Sequence, residues 1–409
     1  MFSKGLVSLA CESFTDSIDC GSNQSNNNDL DSHILEGRKV TNQLEDAFQA
    51  ISLAQEDVNQ LQKFRKLLEK TSDKQFRNIK LPFSVATESI CVRQNIEINK
   101  ITKTLTIESI SENIKNIRKT IINWFERLIK YLVNFFKNSE TFFKILYKKF
   151  ELIKNKEISY DTKIVGNKIK SNGIAKNLGF STKEEFFKTA EKFNSEYERC
   201  STFLNIIFNN SQLTARDLER KYRDKKIDDF KTNFNLSPQF IIEDKDNEIC
   251  FSLADTNKLN IKIFLPKDNL HGMELIEELS NIRSSFLITN YDDVEEIKIL
   301  DENERVIILK LLKSSLTLQR NTLTQKNEML LNLDSLLQML RITNSNNNEE
   351  DYFNKVENCI IKLIGETTNI FTKYEIFQSE RSQNLSQWIM RNDDKINELD
   401  HDNEHGIGG

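Results

Sequence analysis

The sequence predicts a mainly α-helical protein, an elongated long-helix bundle or hairpin that carries a small α+β insert. Helix breakers are rare, since the 409 residues include only 3 prolines and 11 glycines. Long stretches repeat apolar residues at alternating steps of three and four, which is the spacing of one face of an α-helix. Within residues 156–300 this period gives way to short alternating runs that are typical of strands.

The first part of the chain is predicted to start without regular structure and then to become helical. Residues 1–31 are acidic and contain the polar run GSNQSNNNDLD, which indicates a disordered segment. Residues 32–72 have a helical period and predict a first helix. Pro82, in NIKLPFSVATES, is expected to break helical structure because proline lacks an amide donor. A further helix is then expected from Ala86 to about Lys100.

The stretch from Ile121 to Phe150, IINWFERLIKYLVNFFKNSETFFKILYKKF, is the most unusual in the chain. A transmembrane helix needs about 20 apolar residues, and charges interrupt this stretch every few positions, so no transmembrane span is predicted. Its apolar residues instead form a wide stripe on one helix about 45 Å long. The residues expected at the helix interface are Trp124, Phe125, Leu132, Phe136, Phe143 and Phe150.

This apolar stripe must be covered, because each aromatic side chain left in water forgoes roughly 2 to 3 kcal/mol of burial. One interpretation is a membrane-surface helix that lies in the plane of the lipid headgroups. The other, which we favour, is packing against further helices of the chain. The Leu309–Leu340 leucine ladder and the Tyr352–Trp388 segment have matching stripes. Joined by the polar link TNSNNNEED, they predict an antiparallel hairpin.

The middle of the chain, residues 156–300, is expected to form a small α+β domain. Two helical segments are expected near 182–209 and 213–230. The run EICFSLADTNKLNIKIFL alternates on both sides of Asp255–Lys258 and predicts a β-hairpin. Further strands are expected at Phe286–Ile288 and Ile297–Leu300, and short extended pieces with turns in KIVGNKIKSNGIAKNLGF.

These features divide the chain into six segments. The C-terminal segment, residues 392–409, is expected to be a disordered tail, because it has one lysine against six acidic residues. The segments are a disordered acidic N-terminus (1–31), a helical segment (32–88), amphipathic long helices (89–155), a small α+β domain (156–300), a C-terminal antiparallel helical hairpin (301–391) and an acidic tail (392–409).

Residues that usually perform chemistry are sparse. The sequence has no phosphate-binding glycine loop and no metalloprotease or hydrolase motif. Its six cysteines are scattered without a CxxC pair, which predicts free thiols and no metal site. His271 lies alone inside the predicted folded region, and the acidic run YDDVEE is expected to be a solvated turn. We therefore expect a protein that is not an enzyme, with no catalytic residues and no cofactor.

The net charge of −5 hides an uneven distribution of charge. Residues 113–170 hold 14 Lys and Arg against 5 Asp and Glu, whereas both ends of the chain are acidic. A basic middle of this kind permits weak electrostatic contact with DNA phosphates. The solvated outer face of a helical bundle explains the same charges equally well.

Three motifs carry a resemblance to a known family. The first is IRKTIINWFERLIKYLVNFFKN, placed before the KIVGNKIK region. The second is LDENERVIILKLLKSSLTL, which looks like the opening of a C-terminal helical hairpin, and the third is the closing YEIFQSERSQNLSQWI. Together they span residues 105–392, and in layout and composition the chain resembles the internal head (inner body) proteins of giant tailed phages.

The resemblance implies a virion protein that is packaged inside the phage head with DNA and is later ejected into the host cytoplasm. Its implied partners are other phage head proteins, packaged DNA and a host target that the sequence does not identify. It also implies maturation by a head protease that cuts after a small residue, any residue and Glu. The candidate cleavage sites are Glu12–Ser13 and Glu88–Ser89. Cutting at the second site would make residues 1–88 a propeptide.

Two other classes of function remain open at this point. A cytoplasmic coiled-coil adaptor or structural protein would use the 160–300 region to bind a protein partner. A membrane-surface protein would use the 121–150 helix on the lipid headgroups. The genomic neighbourhood and the protein content of purified particles distinguish these classes from the virion interpretation.

Overall fold

The protein is mainly α-helical with small β-sheets, as the sequence predicts. Its computed structural model describes residues 25–158, 160, 167–231, 241–244, 248–252, 259–266, 270–345 and 351–405. Residues 1–24 of the disordered segment predicted for 1–31 lie outside these ranges, as do the turn Asp255–Lys258 and most of the predicted polar link.

The first three helices are α1 (Ser25–Glu69), α2 (Asp73–Gln94) and α3 (Lys103–Lys154). Short capped turns separate them. Ser72 and Gln75 form a capping box at the start of α2, in which each side chain bonds the backbone N–H of the other residue. Asn95, which ends α2, adopts the left-handed conformation that asparagine tolerates better than most residues.

The insert between α3 and the C-terminal helices contains both sheets. Its helices are α4 (Ile174–Leu178), α5 (Lys183–Arg223) and α6 (Gly272–Leu279), with a 3₁₀ turn at Ile227–Asp229. The strands are β1 (Lys168–Lys170), β2 (Ile241–Asp244), β3 (Glu248–Ser252), β4 (Leu259–Pro266), β5 (Arg283–Ile288) and β6 (Glu296–Lys298).

One sheet is an antiparallel meander in the order β2-β3-β4-β5, and β1 pairs with β6 in a second, two-stranded sheet. The predicted hairpin is therefore confirmed as β3 and β4, in which Cys250 is opposite Phe264. The strands expected at Phe286–Ile288 and Ile297–Leu300 are confirmed as parts of β5 and β6, with β6 ending at Lys298. Alternate residues of β4 are buried, so this strand faces the core.

The C-terminal region forms α7 (Glu302–Thr324), α8 (Lys326–Ser345) and α9 (Asp351–His405). A capping box between Asp301 and Glu304 starts α7. The predicted leucine ladder runs through α7 and α8, which meet at Gln325. The predicted antiparallel hairpin is confirmed, because Arg305 on α7 bonds Asp393 on α9 whereas Gln319 bonds Glu375.

Together these long helices form an antiparallel four-helix bundle, with α7 and α8 acting as one split helix. α1 is antiparallel to α3, since Lys103 at the start of α3 bonds the Glu69 carbonyl at the end of α1. α3 runs parallel to α9, and Phe136 and Phe371 meet across this contact with ring centroids 6.5 Å apart.

The helix α9 is the centre of the molecule. It contacts α1, α3, α7 and α8 in the bundle, and α4, α5, α6 and β5 in the insert. At one end of the insert, Phe180 stacks on the buried Trp388 with centroids 5.0 Å apart. The predicted α+β unit therefore packs directly on the bundle and shares its core.

The break predicted at Pro82 is wrong, because Pro82 lies inside α2 and the chain turns earlier, at Ser72. A proline in a helix removes one hydrogen bond to the carbonyl four residues before, here that of Asn78. Both residues are exposed, so water can satisfy that carbonyl. The opposite side of α2 is held by buried Phe76 and Phe83, and this packing keeps the helix continuous.

Three other sequence predictions need correction. Residues 25–31 belong to α1 and are not irregular. The two helices expected at 182–209 and 213–230 are one helix, α5, which ends at Arg223. The tail predicted for 392–409 is helical as far as His405, because Asn392, Asp393 and Ile396 are buried against the rest of the protein.

Candidate functional site: the covered helix α3 and the polar core around α9

The helix α3 contains the residues that the sequence analysis selected. It has 52 residues and no proline or glycine, and is therefore about 78 Å long. The Thr102 hydroxyl caps its start by accepting a hydrogen bond from the Leu105 N–H at 3.2 Å. The helix ends at Lys154 and Asn155 caps it, in agreement with the predicted end of the amphipathic helices at residue 155.

The predicted interface lies on the covered side of α3. Phe125, Leu132, Phe136 and Phe150 are buried, with Phe125 and Leu132 fully inaccessible to solvent. Trp124 and Phe143 lie at the margin of this face, where they are half-buried and pack against the core. The favoured interpretation of a bundle helix is therefore correct for this structure.

The partners of this face were predicted only in part. α3 contacts α7, α8 and α9, as expected, but its most extensive contact is with α1. Leu44, Ile51 and Val58 on α1 are fully buried. The helix α1 falls within residues 1–88, which the family resemblance assigns to a propeptide, so the same segment supplies much of the cover for the apolar stripe.

The opposite side of α3 is a solvent-facing stripe that we call the basic ridge. Its basic residues follow one another at helical spacing over about 50 Å. Asn123 and Asn134 occupy positions between them, and the stripe contains no acidic residue. The ridge consists of Lys115, Lys119, Arg127, Lys130, Lys137, Lys144 and Lys148.

The two acidic residues between Lys115 and Lys148 lie beside the ridge and are already paired. Glu126 binds Arg341 at 2.6 Å, and Glu140 binds Lys326, both on α8. Within the described ranges, Lys119, Arg127 and Lys130 make no ion pair. These three side chains therefore present positive charge that no acidic side chain of the described residues neutralises.

The helix α9 has a polar face that is buried as deeply as its apolar one. Sequence reasoning missed it, because a helix usually exposes its polar residues. The run SQNLSQ, from Ser382 to Gln387, was the available signal, since it is polar yet uncharged. The buried polar residues of α9 include Asn354, Glu357, Thr368, Glu375, Gln378, Arg381, Ser382, Asn392 and Asp393.

Each part of this polar face bonds a different neighbour. At one end of α9, Arg305 donates two hydrogen bonds to Asp393, each at 2.9 Å, and a third to the Ile153 carbonyl of α3. In the middle, Ser315 bonds Ser382 at 2.7 Å. Towards the other end, Arg118 of α3 donates to Asn354 at 2.9 Å. These bonds fix the register of α9 against its neighbours, because sliding would leave buried groups unpaired.

A cleft of about 200 Å³ lies between α1, β5 and α9. Gly365 of α9 lies on its floor, where a Cβ atom would come within 2.8 Å of the Phe48 ring of α1. On the rim, Ser284 donates to Glu366 at 2.5 Å and Lys373 pairs with Glu45 at 2.9 Å. Glycine at position 365 thus permits the close approach of the two helices here.

The candidate cleavage residues lie in two different situations. Glu12 and Ser13 are outside the described residues. Glu88 and Ser89 are exposed and lie within the helix α2. The tripeptide Ala54-Gln55-Glu56 matches the same cleavage pattern, and Glu56 is exposed in the helix α1. Helical structure therefore does not distinguish Glu88 from Glu56.

The cysteines and the acidic run are the remaining candidates. Among the described residues, Cys91, Cys200, Cys250 and Cys359 form no disulfide bond, and no cluster of three or more potential metal ligands occurs. Asp293, in the acidic run YDDVEE, accepts hydrogen bonds from Ser171 and from the Gly173 N–H and so ties the turn to β1 and α4. Among the described helices, none has an apolar stretch long enough to cross a bilayer.

No family model, no curated protein and no solved structure matches this chain. The features of the described residues that bear on function are the basic ridge, the covered face of α3 and the polar core around α9.

Proposed function

We propose that this chain is a non-enzymatic virion protein of a tailed phage, stored inside the head with DNA and ejected into the host cytoplasm. The observation that carries the proposal is the basic ridge. A protein stored among DNA duplexes needs a surface that binds phosphate without reading sequence, and a row of Lys and Arg on a straight helix meets that need.

The covered face of α3 supports storage in a closed form. Its aromatic residues are packed against α1, α7, α8 and α9, so the stored molecule keeps its stripe away from other proteins. The same burial argues against a membrane-surface function, because an in-plane helix needs that face for lipid. A cytoplasmic adaptor remains the alternative, and the protein content of purified particles separates it from the virion protein.

The expected affinity for DNA is weak and strongly dependent on salt. If all seven basic residues of the ridge contacted phosphate, the slope of log K against log salt would reach about −6. A straight helix touches a duplex over part of its length, so a slope of about −3 to −5 is expected. Sequence preference is not expected, because no groove contact is involved.

Salt titration of duplex DNA binding to the whole chain tests the ridge. Changing Lys119, Arg127, Lys130 and Lys137 to Gln should lower the magnitude of the slope by up to about 3 to 4. The matched control changes the exposed Lys39, Lys80, Lys226 and Lys313 to Gln, which alters the net charge equally. Equal loss of binding in both variants would mean that overall charge, and not the ridge, attracts DNA.

Mass spectrometry of purified, nuclease-washed particles tests the location. The protein should be present in DNA-filled heads, and its first residue should be Ser13 or Ser89 if a head protease matures it. Intact peptides from Met1 to Phe14 at full abundance would contradict processing. Absence of the protein from the particles would refute the virion function and favour the adaptor.

A further inference from the structure

Two buried glutamates of α9 have the same unusual environment. The Glu357 carboxyl group accepts a hydrogen bond from the side-chain amide of Gln55, on α1, at 2.8 Å. The Glu375 carboxyl group accepts one from the amide of Gln319, on α7, at 3.1 Å. Both glutamates are almost completely inaccessible to solvent. Each pair joins α9 to a different helix of the bundle, and we call them the two Gln–Glu pairs.

Both pairs contain an excess of acceptors if the glutamates are ionised. The side-chain oxygens of Gln55 and Gln319 are buried and accept no hydrogen bond from the described residues. The Oε2 atom of Glu375 is likewise buried and accepts none. A protonated carboxyl group would supply a donor to such an oxygen, because an acid and an amide can exchange two hydrogen bonds. The protonated form therefore fits these positions better than the carboxylate does.

The charged groups around the pairs do little to stabilise a carboxylate. Arg118 of α3 is the cation beside Glu357, and it lowers the pKa less than burial raises it, leaving the pKa at about 7. Burial raises the pKa of Glu375 to about 8, with only the Gln319 hydrogen bond opposing it.

Other charges along the α1–α9 contact are already matched. The ion pairs Lys373–Glu45 and Arg38–Glu380 join α9 to α1. Glu375 instead bonds Gln319 on α7, and Arg381 is buried farther along α9. None of these charged groups is among the influences on the pKa of Glu375. Ionisation of this glutamate would thus place an uncompensated charge in the core.

We propose that the two Gln–Glu pairs form a proton-dependent latch that holds α9 against α1 and α7. With both glutamates protonated the bundle is closed, and loss of these protons weakens the two contacts. The latch does not depend on the proposed virion function, since it follows from the packing of α9 in any setting.

The direction of the pH effect follows from the raised pKa values. In the unfolded chain a glutamate has a pKa of about 4.3, so between that value and the folded value the folded protein holds the additional protons. The contribution to stability is complete below the unfolded pKa and falls as the pH rises above it. The loss is complete above about 7 for Glu357 and above about 8 for Glu375. The pH window of the effect therefore runs from about 4.3 to about 8.

Urea denaturation of the full chain at pH 6 and pH 9 tests the latch. Between these values the unfolding constant should increase about 100-fold through Glu375 and about 10-fold through Glu357. Glu375→Gln should remove the change of about 100-fold in the unfolding constant, and Glu357→Gln should remove the change of about 10-fold, because glutamine keeps the shape of glutamate and cannot ionise. A Glu108→Gln/Glu112→Gln variant changes two exposed glutamates of α3, and its unfolding constant should depend on pH as strongly as that of the parent protein.

Hydrogen exchange provides a second measurement on the parent protein alone. The amides of α9 near the two pairs should lose protection at pH 9 relative to pH 6 after correction for intrinsic exchange, and the ends of α3 should change less. The proposal is overturned if the parent's unfolding constant is the same at both pH values. It is equally overturned if both Gln variants keep the parent's dependence.

Discussion

Phe136 offers the sharpest test of the covered face of α3. Its side chain is 2% exposed and packs between two other aromatic rings, Phe135 at 5.4 Å and Phe371 of α9 at 6.5 Å. It is therefore positioned where α3 and α9 meet. Replacing it with alanine removes a whole ring from this contact and leaves a cavity that the neighbours fill only in part.

Phe136→Ala should lower the free energy of unfolding by about 3 to 5 kcal/mol, the usual cost of truncating a buried phenylalanine. Since typical proteins are stable by about 5 to 15 kcal/mol, the loss is easily measured. Phe136→Asp should cost more, because it also buries a charge without a partner. Urea denaturation followed by helical circular dichroism measures both variants.

Leu152→Ala is the matched control, because Leu152 lies on the same helix with 61% of its surface exposed. Its effect should stay within about 0.5 kcal/mol of the parent. If Phe136→Ala were as mild as this control, the apolar face of α3 would be open to solvent. The membrane-surface interpretation would then regain support, and vesicle flotation would be the next measurement.

Two further substitutions examine contacts of α9. Arg305→Met should cost about 3 to 5 kcal/mol, because it leaves the buried Asp393 without its partner. The double variant Arg305→Met/Asp393→Leu should recover most of that loss in the same denaturation assay, and no recovery would contradict the pairing. Gly365→Ala should cost about 1 to 3 kcal/mol despite the helix preference for alanine, since its Cβ meets the Phe48 ring. Adding Phe48→Leu should restore thermal stability, and an unchanged deficit would place the clash elsewhere.

The sequence predicted correctly those elements whose apolar residues follow one clear periodic pattern. α3 was predictable because its apolar stripe is wide, periodic and free of proline or glycine over its whole length. The β3–β4 hairpin was predictable because its residues alternate. The buried face of α3 followed as well, since Phe125 and Phe136 share one side of the helix.

The predictions failed where contacts with residues distant in sequence outweigh the local structural preference of a segment. Asp393 belongs to an acid-rich stretch, and its pairing with Arg305, far away in sequence, helps to keep that stretch folded together with the burial of Ile396. Pro82 is tolerated because its side of α2 faces water, which depends on where Phe83 packs. The Gln–Glu pairs were invisible for the same reason, since burial of Glu375 requires neighbours on all sides of α9.

The central position of α9 also affects how the chain is made. The helix α3 is complete at Lys154, whereas α9 begins at Asp351, so nearly two hundred residues are translated between them. At about 5 to 20 residues per second, this interval lasts roughly 10 to 40 seconds. During that time the nascent chain has α1 as a neighbour for the phenylalanines of α3, but not α9. Rapid overproduction should therefore favour aggregation, and slower synthesis at low temperature should raise the soluble yield.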